Sequence, residues 1–352
     1  MNPTNGKLIG FACGYTPLPL IHAAGYTPYR ILPTTAAPDQ AGQVLHENLC
    51  PHVKRILDRA LSGDLPELEG VVFINCCDAM RRLADAYGRV RPQDKTILLN
   101  LPVTTDEPAA FFFNQQITQL LHVLEEWSGR AVSPDGIEDS IQQYQQLARS
   151  LDELRGRVKR GSIPGGSKHM QAIYNQAATG PIELTLTQVR QLLAEPEQPD
   201  PIDGRVPVYL FGNVLPDIEA FALFESCGAR IVGENLCTGS RLFRSWVSED
   251  STDVLLRLAR GILSRPHCPR TIDLKRPMGI SREIKAEAEL SGARGVVGHI
   301  MKFCDPYLYR IPTIREHLRL VNLPLLVLDG DCTMRSFGQH RTRVEAFIEM
   351  LR

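Results

Sequence analysis

The sequence carries no excess of charge of either sign: 39 lysines and arginines stand against 40 aspartates and glutamates in 352 residues, a formal net charge of -1. Such a balance leaves no electrostatic footprint for nucleic acid, and no run of like charge forms a tail or a membrane patch. There is no stretch of about 18 apolar residues to span a bilayer. The polar start, Met1 to Lys7, leads straight into a strand-like run without a leader pattern. A soluble, cytoplasmic protein with no nucleic-acid or membrane partner is expected. No CxxC pair and no finger-type Cys/His spacing occurs, which argues against structural zinc. The GxxxxGK[ST] phosphate loop is also missing, so nucleotide hydrolysis is not expected of this chain.

What the sequence does have is cysteine, nine in all. In a long intracellular chain this number points to metal binding or reactivity, because disulfide frameworks belong mostly to small secreted domains. Seven of the nine, Cys13, Cys50, Cys76, Cys77, Cys237, Cys304 and Cys332, fall where a short apolar run ends and a helix-like stretch begins. Open parallel α/β sheets bind their ligands there. The clearest sites read Leu49-Cys50-Pro51, Cys76-Cys77-Asp78 and Cys304-Asp305-Pro306. Each precedes a helical pattern whose first amides favour a thiolate over a thiol.

A single cysteine at a strand end is commonly a small buried hydrophobe. Recurrence at seven such places points instead to ligands of an iron-sulfur cluster, gathered from loops of two domains into the cleft between them. Three thiolates on a cubane leave one iron open for water, substrate or an electron-transfer bridge. Adjacent cysteines close a strained disulfide ring, so Cys76 and Cys77 read as one ligand and one spare, or as one ligand to each of two clusters. Cys227, inside a helix pattern, and Cys268, in a Pro-flanked loop, read as structural. His22 and His299 read as satisfied structural histidines, and Asp78 and Asp305 as helix caps or hydrogen-bond acceptors beside the ligands.

The order of elements predicts an α/β fold of two parallel-sheet, flavodoxin- or Rossmann-like domains joined by a helical segment. Strands are expected over Lys7–Ala12, Tyr29–Leu32, Gly70–Asn75 and Thr96–Leu101, with helices over Leu18–Ala24, Pro51–Leu61 and Ala79–Tyr87. Residues 107–195 show helical spacing, interrupted at Ser133-Pro134-Asp135-Gly136 and at Ile163-Pro164-Gly165-Gly166. The loop Gly161 to Gly166 reads either as a wall of a binding site or, more in keeping with its composition, as a connector. Residues 196–204 form a Pro-rich linker. Strands then recur at Val206–Phe211, Arg230–Val232, Gly295–His299 and Leu323–Leu328, with a closing helix from Gly338 to Leu351. The expected divisions are thus 1–106, 107–195, 196–204 and 205–352. The two halves repeat in element order and not in residue identity.

Taken together, the motifs resemble the component D family of 2-hydroxyacyl-CoA dehydratases and benzoyl-CoA reductases, including the related double-cubane proteins. The resemblance runs through nearly the whole chain. It is carried by Cys13-Gly14-Tyr15-Thr16-Pro17 with Ala23-Ala24-Gly25, by Leu49-Cys50-Pro51, and by Asn75-Cys76-Cys77-Asp78 with Arg81-Arg82-Leu83. Lys302-Phe303-Cys304-Asp305-Pro306 and Gly338-Gln339 with the run from Thr342 to Glu349 complete it.

The resemblance implies a 4Fe-4S cluster on Cys50, Cys77 and Cys304, in a homo- or heterodimer of related subunits. It implies an acyl-CoA substrate and single electrons of low potential from a separate ATP-hydrolysing iron-sulfur activator, under anaerobic conditions. In the dehydratases of the family the electron makes a ketyl radical from the thioester, which expels the 2-hydroxyl group. Where such members carry acidic residues before the Ala-Ala-Gly stretch, this chain has Leu18 and Pro19 after Pro17, which implies a non-catalytic partner of a heterodimer. An alternative is a double-cubane, eight-iron reductase of small molecules, drawing its further ligands from Cys13, Cys76, Cys237 and Cys332. A third reading is an electron-transfer or structural subunit with no substrate site.

Overall fold

The structure, a computed structural model, describes residues 6–34, 36–197, 204–246, 251–265, 268–332 and 337–352. Residues 198–203 of the expected linker lie outside the described residues. Two four-stranded sheets, each wholly parallel, form the frame. The first unit runs β1 (Leu8–Phe11), α1 (Leu18–Ala23), β2 (Thr27–Arg30), α2 (Pro51–Ser62), β3 (Leu68–Asn75), α3 (Asp78–Val90) and β4 (Thr96–Asn100). Four helices follow: α4 (Glu107–Ser128), α5 (Pro134–Arg160), α6 (Gly166–Thr179) and α7 (Ile182–Ala194). The second unit comprises β5 (Val206–Gly212), α8 (Ile218–Ser226), β6 (Ala229–Asn235), α9 (Val254–Leu263), α10 (Gly279–Leu290), β7 (Gly295–Met301), α11 (Asp305–Arg319), β8 (Leu325–Gly330) and α12 (Phe337–Leu351).

The strand orders are β2-β1-β3-β4 and β6-β5-β7-β8, so the repeat read from element order is a repeat of topology. Continuous apolar runs make the central strands: every residue of β1 and of β7 is buried, as strands covered by helices on both faces require. Helix limits follow local chemistry. Pro51 opens α2 and Gly63, at φ 73°, closes it in the left-handed region. Ser133 caps α5 by accepting from the Gly136 amide at 3.1 Å, so the Ser-Pro-Asp-Gly run starts a helix after the break at Gly129. The loop between α5 and α6 places Gly161, Gly165 and Gly166 at positive φ, as a tight connector does. A further break at Gly180-Pro181 separates α6 from α7.

The two units share more than a covalent link. Helix α9, which follows β6 in the chain, packs Leu256, Leu258, Ala259 and Ile262 into the core of the first unit. Beyond it, Thr104 and Ile272 form a parallel bridge, with the Ile272 amide donating to the Val103 carbonyl at 2.8 Å. No helix among the described residues is long and apolar enough to cross a membrane.

Gly212 ends β5 at φ 155°, and a Cβ there would stand 2.0 Å from the His299 carbonyl oxygen on β7. The central pair of the second sheet therefore approaches as only glycine permits. Gly212→Ala is expected to lower stability by about 2–3 kcal/mol or more in urea unfolding, because backbone rather than a side chain must move. A loss below about 0.5 kcal/mol would contradict this packing.

Candidate metal centre

In an open parallel sheet the crevice for ligands lies beyond the carboxyl ends of strands whose connections leave in opposite directions. With the orders found here, those strands are β1 and β3 in the first unit and β5 and β7 in the second. All four ends meet at one cavity of about 110 Å³. Ala12 and Cys13 arrive from β1, Cys76 and Cys77 from β3, Asn213 and Val214 from β5, and Met301 and Cys304 from β7. Cys50, Cys237 and Cys268 complete a set of seven cysteines around one space. The other polar side chains lining it are His52, Asn213, Arg241, Arg270 and Tyr307, with no carboxylate among the described residues.

Cys50, Cys77 and Cys304 occupy the residue immediately before α2, α3 and α11 respectively. Three helix N-termini thus point at the sulfurs and favour negative charge there. Asn213 fixes one of them: its amide nitrogen donates to Cys304 Sγ at 3.1 Å while its oxygen accepts from the Met301 amide at 3.0 Å. Phe303, at φ 60°, turns the chain in the left-handed region just before Cys304. A non-glycine residue held there costs about 1 kcal/mol or more, a strain borne where the chain is turned to present a sulfur.

Cys50 reaches the cavity differently from the sequence-based expectation. It does not follow a strand but ends the long loop after β2. The buried carboxylate of Asp58, on α2, pins that loop by accepting from the amides of Gln40 at 2.7 Å and Ala41 at 2.6 Å, and pairs with Arg55 at 3.2 Å. The loop is thereby tied to the helix that Cys50 begins.

The remaining four form a second group. Cys268, which the sequence marks as structural, lines the cavity because the return of α9 through the first core carries the following loop there. The clamp is Tyr15: its hydroxyl bonds Thr271 Oγ1 at 2.7 Å, and the Thr271 amide donates to the Cys268 carbonyl at 3.0 Å. Cys237 Sγ accepts from Arg30 Nη2 at 3.0 Å. Cys76 interacts with both Cys13 and Cys77 and so stands between the groups.

Electrostatics cuts across these two groups, with one thiol lowered in each. Burial, together with the neighbouring Cys304 and Cys77, pushes the Cys50 thiol up to about 12. Burial, with Cys237 and Cys13 adding to it, pushes Cys268 up to about 12. Cys304 is raised by burial, while the Tyr307 amide and Asn213 oppose the shift. Two sulfurs move the other way. The bond from Cys76 lowers Cys77 against its burial, helped by the amides of Met80 and Ala79 and by Arg270. Burial raises Cys237, but Arg30 and Arg241 outweigh it and leave that thiol below its ordinary value.

The other candidates lie elsewhere. Cys332 is wholly buried behind the cavity, packed with Val214 and Met301, and does not line it. Cys227 ends α8. His22 bonds Ser140 at 2.7 Å and Glu183 at 2.9 Å, a satisfied link between α1, α5 and α7. His299 is buried within β7. Asp78 and Asp305 begin α3 and α11 without lining the cavity, and Leu18 and Pro19 are buried in α1. Beyond Cys268, local spacing gives no sign of Arg30, Tyr15, Asn213 or Arg241, whose roles exist only once the two units meet.

Residues 13–351 match the protein-family model described as 2-hydroxyglutaryl-CoA dehydratase, D-component. The chain is 25% identical to the (R)-phenyllactyl-CoA dehydratase beta subunit of Clostridium sporogenes, across 100% of this chain and 93% of that protein. It is 26% identical to the lactoyl-CoA dehydratase subunit beta of Anaerotignum propionicum, across 99% and 92%. It is 21% identical to one of the subunits of the benzoyl-CoA reductase of Thauera aromatica, across 91% and 84%.

The thiol shifts have a direct readout in metal-free protein. A thiol reacts as its thiolate, so labelling sets in as pH rises through each group's own value. Cys77 should therefore react with iodoacetamide below the ordinary thiol value of about 8.5, while Cys50 and Cys268 stay unlabelled at about pH 9. Peptide mass spectrometry after short labelling at a series of pH values checks this. Labelling of Cys50 ahead of Cys77 would contradict it.

Proposed function

The chain belongs to the 2-hydroxyglutaryl-CoA dehydratase D-component family, and on that premise we propose that it is the iron-sulfur subunit of a 2-hydroxyacyl-CoA dehydratase or aryl-CoA reductase type enzyme. The observation that carries the proposal is the meeting of Cys50, Cys77 and Cys304, each at a helix N-terminus, on one cavity between two sheets. The donor set fits a cluster better than a single ion. Among the described residues no three Cys, His, Asp or Glu side chains converge as one ion requires. A cubane instead takes each thiolate on a different iron, so its ligands stand around a volume. The polar lining is sulfur, amide, guanidinium, imidazole and phenol, with no competing carboxylate among the described residues.

In this reading Cys50, Cys77 and Cys304 hold a 4Fe-4S cluster, which when bound supplies single electrons of low potential. Asn213 orients Cys304, and Arg241 and Arg270 keep the walls positive. Among the described residues no carboxylate lines the cavity, and Leu18 and Pro19 lie in α1 outside it, so no described carboxylate is placed to move a substrate proton. That task falls to the acyl-CoA substrate or to a related partner subunit, in keeping with a beta-type role beside a second subunit. Electrons come from a separate ATP-hydrolysing activator.

One observation favours a second reading. Cys13, Cys76, Cys237 and Cys268 face the same cavity as the first three. That is enough sulfur for a double cubane, with Cys268 in place of Cys332 among the further ligands. The subunit would then reduce small molecules instead of a thioester.

Iron and acid-labile sulfide per chain after anaerobic purification decide between them. About four irons, lost in Cys304→Ala and kept in Cys268→Ala, is the outcome expected of the single cubane. About eight, with a partial loss in Cys268→Ala, would establish the second reading. No iron after anaerobic reconstitution would refute both.

A further inference from the structure

Arg30 ends β2, opposite Phe11 of β1, and its side chain is completely buried. A buried guanidinium is ordinarily paired with a carboxylate, since an isolated charge is costly to remove from water. The described partners of Arg30 are of another kind. Nη1 donates to the Cys237 carbonyl at 2.6 Å, and Nη2 to Cys237 Sγ at 3.0 Å and to the Ala12 carbonyl at 3.4 Å. One planar fork from the first unit therefore grips both the backbone and the sulfur of a cysteine from the second. Its foothold on Ala12 adjoins Cys13. Arg241 stands near with neutral partners only among the described residues: Asn235, the Gly212 carbonyl and the Tyr307 hydroxyl.

We infer that Arg30 is a positioning residue of the metal centre, holding Cys237 toward the cavity and raising the reduction potential of the iron that this sulfur carries. Hydrogen bonds donated to ligand sulfurs and nearby positive charge stabilise the reduced, more negative state, and donors beside ligands fix their orientation. The inference rests on the reading in which Cys237 is a ligand of the second thiolate group. A lysine would keep the charge but, as a point charge on a flexible stem, would lose the simultaneous grip on carbonyl and sulfur.

The test uses the full chain, purified anaerobically, as wild type, Arg30→Lys, Arg30→Met and Cys237→Ser. Iron content and an equilibrium redox titration followed by electron paramagnetic resonance are measured on each. At the poise where wild type is half reduced, the reduced-to-oxidised ratio is expected to fall about tenfold in Arg30→Met, equal to about 59 mV for a one-electron couple, and by less in Arg30→Lys. Iron retained in both variants with an unchanged midpoint would overturn the inference. If Arg30→Met does not fold, an unchanged midpoint in folded Arg30→Lys together with unaltered signal shape overturns it equally. Cys237→Ser that keeps the wild-type iron count and spectrum would instead refute the ligand reading beneath it, a result distinguishable from a silent Arg30.

Discussion

Parallel pairing is the constraint on which the site depends. Because β1 lies parallel to β3 and β5 to β7, the chain leaves all four central strands at carboxyl edges, and the residues that follow are delivered to the same side. Had either pair been antiparallel, Cys13 and the Cys76-Cys77 pair, or Asn213 and Cys304, would have emerged at opposite ends. The second condition is that the two edges face each other. Interpenetration of the units secures it: α9 sits in the first core, Thr104 bridges Ile272, and Tyr15 holds the Cys268 loop through Thr271. A cavity assembled this way needs both units folded before all of its donors are in place.

The chemistry of the lining then follows from what burial does to each group. Thiols removed from water resist ionisation, as Cys50 and Cys268 show, and only specific help reverses this. That help comes from helix amides and a neighbouring thiol at Cys77, and from two guanidinium groups at Cys237. Soft sulfur donors surrounded by fixed positive ends and lacking carboxylates suit a polynuclear iron-sulfur group better than a hard cation. Among the described residues no carboxylate lines the cavity.

Much of this is legible in the sequence, for identifiable reasons. The central strands are continuous apolar runs, and Pro51, Asp78 and Asp305-Pro306 mark helix starts directly after cysteines, so the three cysteines at helix N-termini can be located from local signals. Six of the seven cavity cysteines stand out in this way or at strand ends. Cys268 does not, because Pro269 beside it suggests a plain loop and only the path of α9 through the other unit brings it inward. Cys332 errs in the opposite direction: it follows β8 as the pattern requires, but its side chain packs with Val214 and Met301 behind the cavity. Helices α9 and α10 and the break at Gly180-Pro181 also escape the sequence reading, and Arg30 gives no sign of its position until β2 is placed beside β1.

On the function proposed above, iron resides in the seven-cysteine cavity between the two sheets. Anaerobic crystals of the reconstituted protein, measured on both sides of the iron absorption edge, address it directly. Anomalous peaks are expected within the cavity bounded by Cys50, Cys77 and Cys304. Iron located elsewhere, or density in the cavity with no iron signal in protein that carries iron in solution, would contradict the claim.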